Sequence, residues 1–246
     1  MFFEQFYRPL VELPVSCVKP LVDAVKNAPE SWIMKRSDPT LAEGTFIPVV
    51  YHGNSVNRTL TETMASLLTT IQEASPSCLR ERMLYKAEIS IIPSGGKLRW
   101  HHDIYMKDKL TERVHVPLVT TPDVRFLAKW FTDPRVWSFR MFENHAYRFN
   151  NRVPHTVINS SSITRYHLLL NYMRVDAWDH LRSHADQLAA FEKNECAVTA
   201  ADEVFYYVNS EPELAELYSM TGYKPQLTEH QLDRLFTDVT PWNPKD

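Results

Sequence analysis

Thr111-Glu-Arg-Val-His-Val-Pro-Leu-Val-Thr-Thr-Pro-Asp-Val-Arg-Phe-Leu-Ala-Lys-Trp130 contains two runs of Val, Leu and Phe separated by Thr-Thr-Pro-Asp. Short β-rich runs bounded by turn residues read as strands, here 112–119 and 124–130. In the first run Arg113 and His115 alternate with Val114 and Val116, so one strand face is polar and the other aliphatic. That is the pattern of a barrel wall facing a site. The same texture continues on both sides, giving strands at 83–92, 97–101, 136–140, 146–149, 155–159 and 164–174. Seven or eight short strands at such spacing predict a β-sandwich or jelly-roll barrel rather than alternating βαβ units.

The flanks read as helices. On the N-terminal side, Ser16 precedes a helical stretch at 19–26, and Thr59–Ala74 carries Leu60, Met64, Leu67, Leu68 and Ile71 at helical spacing. On the C-terminal side, helices are expected at 184–194, 199–209, 213–221 and 229–236; the last opens with the capping box Thr228-Glu-His-Gln231. The organisation expected is a β domain with its N-terminal helices over 1–176 and a helical extension over 177–246.

Composition narrows the function classes. With 44% hydrophobic and 23% charged residues in 246, the chain can build a core without metal or disulfide staples. Cys17, Cys78 and Cys196 are far apart, which argues against a disulfide framework or a zinc knuckle. A net charge of -3, with Lys and Arg spread along the chain, provides no field for nucleic acid. Apolar runs fall far short of the ~20 residues that cross a bilayer, and the start lacks a leader pattern, so a cytoplasmic protein without membrane contact is expected.

The chemistry concentrates in Gly95-Gly-Lys-Leu-Arg-Trp-His-His-Asp103, a glycine turn feeding a short strand. Residues two apart on a strand share a face, so His101 and Asp103 can present a nitrogen and an oxygen to one point. Either neighbouring histidine could ligate; the H-x-D spacing favours His101, with His102 on the opposite face. A second histidine completes the 2-His-1-carboxylate set that suits Fe(II) and leaves positions open. His155, in Arg152-Val-Pro-His-Thr-Val-Ile-Asn159, is the best third ligand. Ten residues on, Arg165 offers a planar two-pronged donor for the far end of a dicarboxylate. Iron with a dicarboxylate points to 2-oxoglutarate chemistry.

Ser90-Ile-Ile-Pro-Ser-Gly-Gly-Lys-Leu-Arg-Trp-His101, Arg113-Val-His-Val-Pro-Leu118 and His155 to Arg165 resemble, in order and spacing, the aspartyl/asparaginyl β-hydroxylases. The resemblance covers about 85–173. It implies a mainly β fold, a double-stranded β-helix (jelly-roll, cupin-like) core with a C-terminal helical extension. It further implies Fe(II) at His101, Asp103 and His155, the far carboxylate of 2-oxoglutarate on Arg165 and Ser90, and O2 as oxidant. Arg113 is a candidate for the near carboxylate, and His115 is read equally as a cosubstrate contact or a wall residue. The chain departs from the family's glycine-acidic turn, which Glu143-Asn-His-Ala-Tyr147 replaces.

His167 shares the face of Arg165 and reads as structural; His145, His180, His184 and His230 read as solvated, and Trp100 and Trp130 as core or wall. The expected function is hydroxylation of an Asp- or Asn-type residue in a peptide or protein, with succinate as coproduct. The alternatives are a free amino-acid hydroxylase of the proline type and a catalytically silent cupin-like binding module.

Overall fold

A computed structural model of the chain describes residues 7–35, 44–74, 79, 82–98, 111–129, 136–149, 155–175, 178–179, 183 and 239–241. Its strands are β1 (Tyr7–Glu12), β2 (Met34–Lys35), β3 (Thr45–Tyr51), β4 (Asn54–Ser55), β5 (Arg82–Ile92), β6 (Thr111–Val119), β7 (Val124–Lys129), β8 (Val136–Phe139), β9 (His145–Phe149), β10 (His155–Asn159), β11 (Arg165–Arg174) and β12 (Val239–Pro241). The helices are α1 (Val15–Lys26), α2 (Arg58–Thr63) and α3 (Ala65–Ala74).

Two antiparallel sheets result. The larger runs β1-β9-β6-β11-β5-β3-β2, with β4 paired to β3, and the smaller runs β10-β7-β8-β12. From β5 to β11 the chain passes repeatedly between the sheets, with β5, β6, β9 and β11 in the large one and β7, β8 and β10 in the small one, as in a double-stranded β-helix. The outer face of the large sheet (Ala87, Ile89, Val114, Val116, Leu168, Leu170) shares one buried cluster with Val18, Leu21, Leu60, Leu67 and Ile71 of the helices. The inner face turns toward the small sheet, since the His115 ring meets Phe126 of β7 edge-on at 5.8 Å.

The flanks correct the sequence reading in three places. The first helix begins at Val15, directly after Pro14, so Ser16 lies within it rather than before it. The span 59–74 is two helices, not one, divided at Met64. Thr61 and Thr63 donate their hydroxyls to the carbonyls of Asn57 and Thr59, a back-bonding that bends helices. Asn57 caps α2 by accepting from the Leu60 amide at 3.1 Å. Finally, β1 to β4 extend the large sheet on a flank where only helices were expected. Pro9 and Pro48 disguise the two long ones, and the ladder shifts register beside each. The four C-terminal helices lie outside the described residues; within that region β12 pairs with β8.

Tyr172 packs in the same buried cluster with its polar tip unmet. The Tyr172 hydroxyl has no hydrogen-bond partner among the described residues, and burial pushes the phenol's pKa up. Tyr172→Phe is therefore expected to leave stability unchanged or raise it by about 1 kcal/mol, read from the denaturant midpoint. A loss of that size would reveal a partner for the hydroxyl.

Candidate active site

The glycine turn lies against β10, and of the strand expected at 97–101 the described residues show an isolated bridge from Lys97 to Ile158, the rest lying outside them. Gly95 donates to the Asn159 carbonyl at 2.9 Å, Asn159 donates back to Gly96, and Leu98 donates to Val157, two residues beyond His155. Gly95 needs to be glycine for conformation: its φ is +73° with open space around it. Gly96 needs to be glycine for room, since a Cβ would meet the Pro93 carbonyl at 3.0 Å. Gly95→Ala is expected to cost about 1–2 kcal/mol in chemical denaturation, and Gly95→Asn less, because asparagine tolerates the left-handed region.

Asn159 locks the same end of the barrel. Its side-chain amide donates to the carbonyls of Ile92 (3.1 Å), Pro93 (2.9 Å) and Ile163 (2.8 Å), and its oxygen accepts from Ser161 Oγ at 2.6 Å. These bonds tie the end of β5 to the turn between β10 and β11, and so fix where Arg165 enters the barrel.

His155, Arg165, Ser90 and His115 all come together as buried polar residues of one interior. His155 stacks on Phe126 (centroids 5.6 Å, planes 11° apart) and meets Phe149 edge-on at 5.5 Å. Phe149 in turn meets the His115 ring at 5.6 Å. On β11, Arg165 stands opposite Ile92 and His167 opposite Ser90, so Ser90 is the diagonal neighbour of Arg165 on the same face. His101, Asp103 and His102, with Trp100 and Trp130, lie outside the described residues, as do His180, His184 and His230. Among the described residues no group of three metal-ligating side chains forms.

Arg165 is the telling group. It is 4% exposed, yet no carboxylate or other hydrogen-bond partner reaches it among the described residues. Burial alone pushes its guanidinium down to about 9, so it is still a cation at neutral pH. An unpaired buried cation costs stability unless an anion arrives to meet it. The interior therefore suits a carboxylate-bearing ligand.

Arg113 lies closer to the other end of the inner face, where its Nε donates to Asn171 Oδ1 at 2.8 Å. His167, read as structural, is 1% exposed, and its Nε2 lies 3.1 Å from His115 Nδ1. Its place on the polar face was visible in the sequence, but its partner was not. His145 begins β9 and bonds the Glu143 carbonyl through Nδ1 at 2.8 Å, rather than standing free in solvent. In the turn before it, Asn144 takes a φ of +58°. Asparagine is among the few residues that tolerate this left-handed conformation.

The family model for aspartyl/asparaginyl β-hydroxylase matches residues 49–175, just over half of the chain. The chain belongs to this family. It is an enzyme of the 2-oxoglutarate- and Fe(II)-dependent dioxygenase class, built on the jelly-roll core. A search of curated proteins returns no match.

Solved structures share the fold at low identity. A prolyl hydroxylase from Trichoplax adhaerens, in complex with a hypoxia inducible factor oxygen degradation domain peptide fragment, is similar with a TM-score of 0.53 at 15% identity, over 70% of this chain and 86% of that one. A Pseudomonas putida prolyl-4-hydroxylase gives 0.54 at 13%, over 70% and 95%. HygX from Streptomyces hygroscopicus, solved with nickel and 2-oxoglutarate bound, gives 0.52 at 10%, over 71% and 85%.

Proposed function

We propose that this hydroxylase binds Fe(II) through His101, Asp103 and His155 and holds the far carboxylate of 2-oxoglutarate on Arg165 and Ser90. His115 and Arg113 face the rest of the cosubstrate and the incoming substrate. When bound, iron and 2-oxoglutarate supply the oxidising chemistry: O2 is consumed, 2-oxoglutarate leaves as succinate and CO2, and one substrate C–H becomes C–OH. The chain's own share is geometric. Arg165 fixes one end of the cosubstrate, His155 stays oriented between Phe126 and Phe149, and the aromatic wall keeps water from the reacting carbon.

The observation that carries this reading is the buried Arg165 guanidinium with no carboxylate beside it among the described residues. The substrate we infer is an Asp- or Asn-type residue in a peptide or protein, from membership of the family. A free amino acid of the proline type is the second candidate, because prolyl hydroxylases share the fold. Incubation with Fe(II), ascorbate, 2-oxoglutarate and panels of peptides and free amino acids, with succinate quantified, separates them. Peptide-dependent succinate above the uncoupled background is expected. Stimulation by free amino acids alone would move the substrate to the second class, and no succinate with any panel would favour a silent binding module.

A further inference from the structure

We propose that the C-terminal strand β12 is a strap on the active-site barrel: by pairing with β8 it holds Phe139 behind the two rings that seat His155, and so sets how firmly the barrel takes its metal. This rests on the reading of His155 as an Fe(II) ligand.

The strand lies beyond residues 49–175, the span that the family model matches, yet it is the outermost strand of the small sheet on the β8 side. Val239 stands opposite Phe139, one hundred residues earlier, with Thr240 opposite Ser138 and Pro241 opposite Trp137. On its other side β8 pairs with β7, from Phe126 opposite Phe139 to Lys129 opposite Val136. Without β12 these few residues of β8 would be the bare edge of the sheet, with every second amide turned away from any strand. A short strand paired on one side only is the part of a sheet that opens most readily.

The side chain that β8 carries makes its hold matter. Phe139 is fully buried, its ring edge-on to Phe126 at 6.4 Å and to Phe149 at 6.0 Å. Those two rings meet each other at 4.5 Å, and His155 stacks on the first at 5.6 Å and meets the second edge-on at 5.5 Å. Three phenylalanines from β7, β8 and β9 thus form one packed unit with the imidazole. Close-packed interiors transmit displacement, and a ligating side chain has to stay within about 0.5 Å of its working position. Loosening β8 therefore widens the range of positions open to His155 and weakens the metal.

Residue-resolved amide exchange in the full, metal-free chain is the first test. The consecutive amides of Trp137, Ser138 and Phe139 are all expected to exchange slowly, because β8 has a neighbour on each side. Fast exchange at every second one, the signature of an edge strand, overturns the proposal. Two truncations extend the test: a chain ending at Asp238 loses β12, and one ending at Pro241 keeps it. In the shorter chain, exchange at alternate β8 amides should quicken at least ~10-fold. Its Fe(II) dissociation constant, from anaerobic competition with a chelating dye, should rise about tenfold, the lower end of what losing a supporting partner of a metal ligand costs. The longer chain should match the full one in both. Undiminished iron affinity in the shorter chain overturns the proposal, as does an equal loss in the longer one. Should the shorter chain fail to fold, the exchange pattern of the full chain decides. Failure of the full chain to bind Fe(II), with β8 protected on both sides, would overturn the metal reading and the strap's role with it. The exchange pattern needs no metal, so the two failures are distinguishable.

Discussion

Arg165→Ala is expected to raise the KM for 2-oxoglutarate by roughly 10²–10³-fold. Among the described residues its guanidinium is the one buried Arg or Lys head group, proposed above to meet the cosubstrate's far carboxylate, and removing one member of a buried charge pair costs about 3–5 kcal/mol. Loss of the charge alone should act differently on the ligand-free protein. There the cation is desolvated and, among the described residues, unpaired, so Arg165→Met, which keeps volume and loses charge, is expected to preserve or raise the melting temperature. Steady-state kinetics and thermal melts with and without 2-oxoglutarate read both effects. A residue serving only to pack the barrel would lose stability in both states and change KM little.

His155→Ala is expected to lower turnover by well over ~10²-fold, more than the loss of an outer partner of a metal ligand costs. His101→Ala and Asp103→Ala should do the same. His102→Ala should retain most activity, because neighbouring residues on a strand face opposite ways. His155 packs against Phe126 and Phe149, so its truncation also leaves a cavity. Far-ultraviolet circular dichroism and a melt confirm the fold of each variant, and iron content after anaerobic loading separates lost metal from lost structure. Near wild-type turnover in either histidine variant would remove that residue from the metal site.

Seven of the eight expected barrel strands were legible to within a residue or so, while the one expected at 97–101 lies mostly outside the described residues. Strands expected at 124–130 and 164–174 are Val124–Lys129 and Arg165–Arg174, because β-branched and aromatic runs stop where Pro, Asp, Asn and Ser take over. The N-terminal strands were hidden by Pro9 and Pro48, which read as breakers until the register shifts beside them show how the sheet accommodates each. Arg165, Ser90 and His155 could be picked out because their types and spacing carry the chemistry. The contact of His167 with His115 could not. A histidine in a run of leucines reads as core, and its partner His115 is fifty-two residues away on a strand whose register only the fold sets. Likewise, that Arg165 is buried with no ion-pair partner among the described residues is a fact of three-dimensional structure that no spacing encodes.

The central claim is that iron and 2-oxoglutarate meet in this barrel, held by His155 and Arg165. Its most direct test is anaerobic titration of the Fe(II)-loaded protein with 2-oxoglutarate, following the weak visible charge-transfer absorption that bidentate chelation of ferrous iron produces. A saturable band is predicted in the wild type, absent in His155→Ala and shifted to far higher 2-oxoglutarate concentration in Arg165→Ala. Iron bound stoichiometrically with no band at any 2-oxoglutarate concentration would contradict the account.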